Sequence, residues 1–302
     1  MLRSTPTQAL NAVASVLLPS PCRLCGVQLA ELSAAPICSS CWNHLHPQSG
    51  PLCPRCGENL GAESITPGSL CRICRLAEPP FTLAVAYGLY QDHLRALIQL
   101  LKYDRIEPIA ASLGKLLAAR VLAIPDLPSS LLVVPVPLHR SRRRTRGFNQ
   151  SELLAAALAR SLRSSRPQIR LQLAPGALSR TRATESQAGL TPRQRRDNLR
   201  GAFLVSGKSA QNQIKDHHIL LVDDIYTTGA TARACSKALL RAGAASVHVA
   251  TLARAQRYEA PNAPISSALS TAVTAPPSQA ELPMHEDVAF WGSTTTLNHQ
   301  GD

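Results

Sequence analysis

The stretch from residue 219 to residue 231 decides the fold: Ile-Leu-Leu-Val-Asp-Asp-Ile-Tyr-Thr-Thr-Gly-Ala-Thr. Its four apolar residues, Ile219–Val222, form the short continuous run typical of a strand buried on both faces of a parallel sheet. Two carboxylates, Asp223 and Asp224, follow where that strand should end. A turn of small residues then leads into Ala232–Ala242, which has a helical composition and is followed by glycine. The stretch therefore predicts a strand, an acidic edge, a tight turn and a helix.

The turn at residues 227–231 has the composition of a phosphate-binding loop. Backbone N–H groups and hydroxyls at a helix N-terminus hold a phosphate, because the helix dipole favours the anion and glycine allows close approach. Asp223 and Asp224 would repel that phosphate, so we expect them to face ribose hydroxyls or a bound Mg²⁺. An ordinary strand–turn–helix connection with a polar tip is the alternative.

The same stretch resembles, position for position, the signature of type I phosphoribosyltransferases. That signature has four hydrophobic residues, two acids, two variable residues and then Thr-Thr-Gly-x-Thr. The resemblance implies that Asp223 and Asp224 are the catalytic pair and hold the ribose hydroxyls of phosphoribosyl pyrophosphate, with Mg²⁺ as cofactor. It also implies that the turn binds the 5-phosphate of this ligand. The predicted loop residues are Thr227, Thr228, Gly229, Ala230 and Thr231.

The composition indicates a soluble globular protein with an uneven charge. The chain has 302 residues, of which 45% are hydrophobic and only 4% aromatic, so alanine and leucine must fill most of the interior. Of the net charge of +13, most lies between His139 and Arg200, which contain 15 arginines, no lysine and three acidic residues. That region faces an anion or lies on a solvated surface.

The densest part of this region follows a predicted central strand, Leu131–Val136, and precedes a predicted helix, Ser151–Leu162. We expect a basic loop there, at the carboxyl edge of the sheet, where ligands bind in open α/β folds. If Ile219–Val222 lies in the same sheet, both loops face one crevice. A solvated arginine-rich face or a nucleic-acid patch is the alternative. The candidates for contacts with the diphosphate of the ligand are Arg140, Arg144 and Arg146.

Eight of the nine cysteines form four Cys-x-x-Cys pairs near the N-terminus. Two such pairs chelate one tetrahedral zinc ion, and a site made of four cysteines leaves no ligand position open for chemistry. We therefore predict two structural zinc sites in a double ribbon. Each site joins two consecutive Cys-x-x-Cys pairs, or else the first pair joins the third and the second pair joins the fourth. Reduced thiols imply a cytoplasmic protein. The predicted ligands are Cys22, Cys25, Cys38, Cys41, Cys53, Cys56, Cys71 and Cys74.

Other periodic segments complete an α/β domain. Strands are predicted at Thr82–Tyr87 and Ser246–Leu252, and helices at His93–Lys102 and Pro108–Ala123. No apolar stretch approaches the length of a transmembrane helix, so no membrane insertion is expected. The predicted domains are an N-terminal helix with the double zinc ribbon at 1–78, a phosphoribosyltransferase-like domain at 79–256 and a disordered tail at 257–302.

Several motifs together resemble the ComF family, named for a competence protein. They are the cysteine pairs, Leu-Lys-Tyr at 101–103, Pro-Val-Pro-Leu-His-Arg at 135–140, Arg-Gly-Phe-Asn-Gln at 146–150 and the acid-pair loop. The resemblance runs from about residue 10 to about residue 255. It implies an open, mainly parallel sheet of the type I phosphoribosyltransferase fold behind a small double zinc ribbon. It also implies a lid loop that ends before a strand at Leu199–Val205 and contains Arg180, Arg182 and Gln187.

Two functions follow as hypotheses. The first is a phosphoribosyltransferase that binds phosphoribosyl pyrophosphate, acts on an unknown acceptor and serves competence and DNA uptake together with competence-machinery proteins. The alternative is a non-catalytic zinc-ribbon accessory factor that binds single-stranded DNA in natural transformation. Tight Mg²⁺-dependent binding of the sugar phosphate favours the first, and a steep salt dependence of DNA binding favours the second.

Truncation after Tyr258 should change neither the melting temperature nor ligand binding, because residues 257–302 have no pattern by which they would pack. Differential scanning calorimetry of the full and the truncated chain checks this expectation. A melting temperature several degrees lower after truncation would contradict it.

Overall fold

Five strands form a parallel sheet in the computed structural model, which describes residues 20–31, 33–61, 68–182 and 201–256. The strand order is β1-β7-β6-β2-β3. Every pairing in this sheet is parallel, so the carboxyl ends of all five strands lie at one edge. The strands are β1 (Leu83–Leu89), β2 (Ser130–Pro135), β3 (Arg170–Leu173), β6 (His218–Tyr226) and β7 (Ser246–Arg254).

The predicted central strand at Ile219–Val222 is confirmed, and all four of its side chains are fully buried. β6 continues beyond the predicted end, through both acids to Tyr226, because β7 extends beside it and pairs Tyr226 with Arg254. On its other side β6 pairs with β2, with Pro135 opposite Val222. The segments that follow β2 and β6 therefore leave the sheet side by side, as the single-crevice hypothesis requires.

Helices cover both faces of the sheet. On one face lie α3 (Asp92–Tyr103), α4 (Ile109–Leu122) and α6 (Gln150–Ser165), and on the other lie α7 (Lys208–Ile214) and α8 (Ala230–Arg241). The predicted helix at His93–Lys102 is confirmed within α3. Its leucine and isoleucine side chains, spaced three and four residues apart, point into the core. The buried set is Leu94, Leu97, Ile98 and Leu101.

The basic segment after β2 is a helix, α5 (Arg140–Arg146), where the sequence analysis predicts a loop. Arginine is a good helix former, and the segment contains neither glycine nor proline. The ring Nδ1 of His139 accepts a hydrogen bond from the N–H of Ser141 and so caps the helix, and Gly147 ends it. α5 thus holds its arginines on a short rigid element.

Several further elements were not predicted, among them β3 and α7. β3 lies at the sheet edge with alternating exposure, and α7 occupies a segment without an apolar stripe. Within the described part of the predicted strand at Leu199–Val205 lies β5 (Phe203–Leu204), which pairs antiparallel with β4 (Ser179–Arg180) in a separate two-stranded sheet. The predicted N-terminal helix, Gln187 and the tail lie outside the described residues.

The two cysteine-rich segments join the core on opposite faces of the sheet. Cys22 and Cys41 belong to the buried cluster under α3, α4 and α6, whereas the later cysteines pack with Phe81, Ala84 and Tyr226 under α8. Each segment contains one short helix, α1 (Ser39–Asn43) or α2 (Arg72–Leu76). Among the described helices, none combines the length and apolarity that crossing a bilayer requires.

Gly114→Ala should destabilise the protein even though alanine favours a helix by about 1 kcal/mol. A Cβ at Gly114 would overlap Ala157 of α6 and lie 2.9 Å from the backbone N of Leu158. Overpacking of this kind costs roughly 1–3 kcal/mol, so the free energy of unfolding measured in urea should fall. The double variant Gly114→Ala/Ala157→Gly removes the contact with the Ala157 Cβ but not the close approach to the backbone of Ala157 and Leu158, so it should recover only part of the loss. A gain in stability for Gly114→Ala alone would contradict the close helix contact.

Candidate functional site

Asp224 lies at the carboxyl end of β6 and is compensated by two neighbouring helices. Its Oδ2 accepts a hydrogen bond from Gln150 Nε2 at 2.8 Å and forms an ion pair with Lys102 Nζ at 2.7 Å. Both side chains of the ion pair are largely buried, with 8% and 14% exposure for Asp224 and Lys102. A buried carboxylate needs such partners, because the free energy lost on removing its charge from water is offset only by an ion pair and hydrogen bonds inside the protein. Asp224 is therefore held in one orientation.

Asp223 is held by the backbone and by one hydroxyl. Its Oδ1 accepts from the N–H of Asp224 at 2.9 Å and from Ser151 Oγ at 3.0 Å. Burial, and after it the negative charge of Asp224, raises the pKa of Asp223 to about 7. Lys102, by contrast, compensates Asp224 directly. A carboxyl whose pKa is shifted by burial and by a specific neighbouring charge, as in Asp223, is typical of functional sites.

The start of α6 is what brings Gln150 and Ser151 to the acids. Asn149 caps this helix, since its Oδ1 accepts from the N–H of Ser151 at 3.1 Å. Asn149 Nδ2 also donates to the carbonyl of Val136 at 3.1 Å, which ties the helix start to the end of β2. From the sequence, Asn149 and Gln150 were recognised only as part of a family motif, without a role of their own. A cap residue between a predicted strand and a predicted helix was the available signal.

The predicted phosphate loop joins β6 to α8. Gly229 has a φ of +75°, and a Cβ there would overlap the hydroxyl of Tyr226, so only glycine fits. Thr228 Oγ1 accepts a hydrogen bond from the N–H of Ala230, the first residue of α8, at 3.4 Å. A small cavity is lined by this loop and by Asp223. The predicted residues that line it are Asp223, Thr227, Gly229 and Thr231.

A cationic cleft of about 430 Å³ opens beside the acid pair. Its charged walls are Lys102, Arg105, Arg142 and Arg146, and Tyr103 lies between them with 71% exposure. The Arg146 guanidinium lies 5.5 Å from the centre of the Tyr103 ring. The volume is within the range of roughly 300–1,000 Å³ that small-molecule sites occupy. Lys102 belongs to both the cleft and the acid pair.

Of the three predicted arginines, only Arg146 lines this cleft. Its Nη1 donates to Gln150 Oε1 at 2.6 Å, so Arg146, Gln150 and Asp224 form a chain of hydrogen bonds. Arg140 and Arg144 lie exposed on α5 and are not among the cleft residues. Arg142, which lies in the basic segment but is not among the three predicted arginines, also lines the cleft, and so does Arg105, which lies just after α3 and was not predicted because no sequence pattern connects it to that segment.

The predicted lid residues Arg180 and Arg182 are described, and Gln187 is not. Arg180 lies in β4 with its guanidinium 5.3 Å from the centre of the Phe203 ring. Burial, and then the positive charge of Arg142, lowers the pKa of Arg180, while the negative charge of Asp223 opposes that shift. Arg180 therefore interacts electrostatically with Asp223 and with α5, whereas Arg182 is exposed.

The eight predicted zinc ligands form two tetrads, and the chain pairs them in sequence. The first is Cys22, Cys25, Cys38 and Cys41; the second is Cys53, Cys56, Cys71 and Cys74. Within each tetrad the sulfur atoms lie within 4.8 Å of one another, as four ligands of a single ion require. All cysteines of the second tetrad are buried, whereas Cys25 of the first is exposed. Both are structural zinc sites, since the four thiolates fill the coordination sphere.

Asp223→Asn should remove a pH dependence of stability. In the folded protein the pKa of Asp223 is about 7, and in the unfolded chain it returns to its ordinary value near 4. The folded state binds this proton more tightly, so the carboxyl lowers the free energy of unfolding as the pH rises from about 4 to about 7. Urea titrations of the parent and the variant between about pH 5.5 and 8 measure the difference. Any pH dependence of zinc binding contributes equally to the profiles of the parent and the variant and cancels in their difference.

Asp126→Asn, at an exposed carboxylate, is the control for this experiment. It should leave the pH profile of the parent unchanged. Parallel profiles for the parent and Asp223→Asn would contradict the raised pKa.

Comparison with known proteins agrees with both parts of this architecture. Residues 149–275 match the phosphoribosyl transferase domain family, and residues 13–75 match the double zinc ribbon domain family. The first match begins at the cap of α6 and includes the acid pair and the phosphate loop. The second match includes all eight zinc ligands, because both tetrads lie between residues 13 and 75.

Three relatives are similar over most of the chain. DNA utilization protein YhgH of Salmonella typhi is 36% identical over 240 residues, which are 78% of this chain and 98% of the relative. Competence protein F of Haemophilus influenzae is 33% identical over 72% of this chain and 90% of its own length. Competence protein ComFC of Bacillus subtilis is 29% identical over 72% and 84% of the two chains. Given these matches and the two domains, the chain belongs to the ComF family.

Proposed function

We propose that the protein binds phosphoribosyl pyrophosphate at the carboxyl edge of the sheet and transfers its phosphoribosyl group to an acceptor. The observation that carries this proposal is the separation of charge within one site. Asp223 shares a small cavity with the Thr227–Thr231 loop, and Lys102 connects the acid pair to the cationic cleft. A ligand with a phosphate at one end, a neutral sugar in the middle and a diphosphate at the other end matches this order.

Each part of the ligand has a partner of suitable chemistry. The N-terminal turn of α8, with its loop hydroxyls, binds the 5-phosphate. Asp223 and Asp224 accept hydrogen bonds from the ribose hydroxyls, and Asp223 offers the carboxylate oxygens that Mg²⁺ prefers. When bound, Mg²⁺ neutralises part of the diphosphate charge. Lys102 and Arg146 supply further positive charge to the diphosphate.

Transfer then depends on positioning and electrostatics. The bond between C1 of the ribose and the diphosphate oxygen breaks, the diphosphate keeps the electron pair, and the acceptor forms the new bond to C1. Positive charge develops at C1 while negative charge grows on the leaving diphosphate. The fixed cations of the cleft stabilise that leaving charge without reorganising, which is how such sites lower a barrier. Arg180, one of the two predicted lid residues that the structure describes, interacts electrostatically with Asp223 of the same site.

Lys102 has a specific part in this proposal. In the ligand-free protein it neutralises Asp224, and it also lines the cleft. A ribose hydroxyl that donates to Asp224 competes with Lys102 for the same carboxylate. Lys102 is then available to the diphosphate, so binding of the sugar and of the diphosphate support each other.

A second candidate is binding of single-stranded DNA in natural transformation. It is favoured by Tyr103, whose 71% exposed ring lies among Arg105, Arg142 and Arg146. An exposed aromatic ring among cations is the usual platform for stacking unpaired bases. Two of the relatives are named competence proteins and one a DNA utilization protein, which agrees with a role in DNA uptake and competence. A steep fall of DNA affinity with salt would favour this candidate.

Asp223→Asn should weaken binding of phosphoribosyl pyrophosphate by roughly tenfold to a hundredfold. A hydrogen bond to a charged group contributes about 1.5–3 kcal/mol, and the variant loses that charge. The Lys102–Asp224 ion pair is untouched, whereas Asp224→Asn would leave Lys102 buried without its counter-ion. Isothermal titration calorimetry with Mg²⁺ present measures the affinity.

Two controls accompany this measurement. Diphosphate lacks the sugar and should bind the variant at least as well as the parent, because a negative charge near the cleft is gone. Ser151→Ala removes one hydrogen bond to Asp223 but keeps the carboxylate, so its effect should be smaller. Unchanged affinity of Asp223→Asn for phosphoribosyl pyrophosphate would show that Asp223 does not hold the sugar.

A further inference from the structure

Arg254, the last residue of β7, is 1% exposed and lies against the second zinc tetrad. Its Nη1 donates to the carbonyl oxygen of Cys56, and its Nη2 lies 3.6 Å from the Cys56 sulfur. The same Nη2 forms an ion pair with Glu58. A zinc ion with four thiolates has a net charge of −2, so a buried guanidinium beside one of the sulfurs compensates part of that charge.

The other side of Arg254 faces the phosphate loop. Its guanidinium lies 4.5 Å from the centre of the Tyr226 ring, and Tyr226 is the residue directly before the loop. Tyr226 is 5% exposed, and its hydroxyl fills the space that a side chain at Gly229 would need. The Tyr226 ring therefore supports the loop from below, and Arg254 fixes the position of that ring.

A second contact ties α8 to the same ribbon. Arg233, in the first half of α8, donates to the carbonyls of Ala77 and Glu78 at 2.8 and 3.0 Å. These carbonyls directly follow α2, the helix that carries Cys74. The loop and the helix after it are thus both attached to the second ribbon.

The first zinc site is attached differently. Its cysteines belong to the core cluster on the other face of the sheet. Arg23 of this ribbon pairs with Asp104 at 2.9 Å, and their side chains are 48% and 40% exposed. An exposed ion pair contributes little to stability, so this contact couples the first zinc site only weakly to the rest of the domain.

We propose that Arg254 is a positioning residue that makes the phosphate loop depend on zinc in the second tetrad and not in the first. It compensates the zinc–thiolate charge through Cys56 and holds Tyr226 under Gly229. Loss of the second zinc releases Arg254 and, with it, the ring on which the loop rests. This inference rests on the proposed function only for the identity of the ligand, because the link between zinc and loop is independent of what the loop binds.

Stepwise removal of zinc from the full-length wild-type protein tests the proposal. A chelator is titrated in, released cysteines are alkylated and mapped by mass spectrometry, and amide hydrogen exchange of residues 226–233 is followed in parallel. Exchange in this segment should stay slow while the first tetrad empties and should accelerate when Cys53–Cys74 become alkylated. Binding of phosphoribosyl pyrophosphate should be lost at the same step. Slow exchange of residues 226–233 after both tetrads are empty would overturn the proposal. Fast exchange of this segment when only the first tetrad is empty would overturn it as well.

Three variants separate positioning from mere structural support. Arg254→Met should lower the zinc affinity of the second tetrad by roughly tenfold to a hundredfold, as loss of a partner of a metal ligand does, and should accelerate exchange at 226–233. Glu58→Gln breaks the same buried ion pair but leaves the guanidinium on Cys56, so zinc affinity should stay within about twofold of the parent. Arg23→Met, the same substitution at the first ribbon, should change neither quantity. An equal decrease in the zinc affinity of the second tetrad in Arg254→Met and Glu58→Gln would overturn the proposal.

The readouts distinguish this proposal from the proposed function. If the parent protein does not bind phosphoribosyl pyrophosphate, the proposed function fails, and zinc affinity and amide exchange still decide the role of Arg254. If Arg254→Met does not fold, the stepwise zinc release in the wild-type protein still decides whether the loop depends on zinc in the second tetrad.

Discussion

Two adjacent carboxylates at the end of a buried strand are the constraint on which the candidate site depends. Asp223 and Asp224 are like charges on adjacent residues, and burial and mutual repulsion both disfavour the ionised form of Asp223, so the pair needs compensation. The protein resolves this by treating them differently. Lys102 and Gln150 compensate Asp224, while the pKa of Asp223 rises to about 7. Asp224 thus has a fixed cationic partner, whereas ionisation of Asp223 is favoured when a cation or a sugar hydroxyl arrives.

The parallel sheet explains why those compensating groups are available. A parallel strand is followed by a helix that returns over the sheet, so helix starts gather at the edge where strands end. α6 begins at that edge, where Asn149 holds it to the end of β2. α3 arrives at the same place with its last turn, and Lys102 is at the C-terminal end of that helix. The site is therefore built from two helix ends that the sheet topology brings to one strand.

The sequence was sufficient to predict what depends on local patterns. The buried strand at Ile219–Val222, the tight turn with Gly229 and the two cysteine tetrads follow from apolar runs, turn residues and Cys-x-x-Cys spacing. The contacts that complete the site could not be predicted in this way. Gln150 and Asp224 are 74 residues apart, and Arg254 lies 198 residues from Cys56. Such pairs depend on the strand order, which a single sequence does not specify.

The second ribbon also packs against a core that contains few large side chains. Only 4% of the residues are aromatic, and the core under α8 is made mainly of alanine, valine and leucine. There the four cysteines pack with Phe81 and Tyr226, two of the few large rings. A zinc ion joins its four thiolate ligands directly, and the free energy of metal binding adds to the free energy of folding. The ligands are therefore held more rigidly than by side-chain packing alone. A loop that rests on Tyr226 consequently has a stiff support on a face whose own side chains are small, which is the property that a preorganised phosphate site requires.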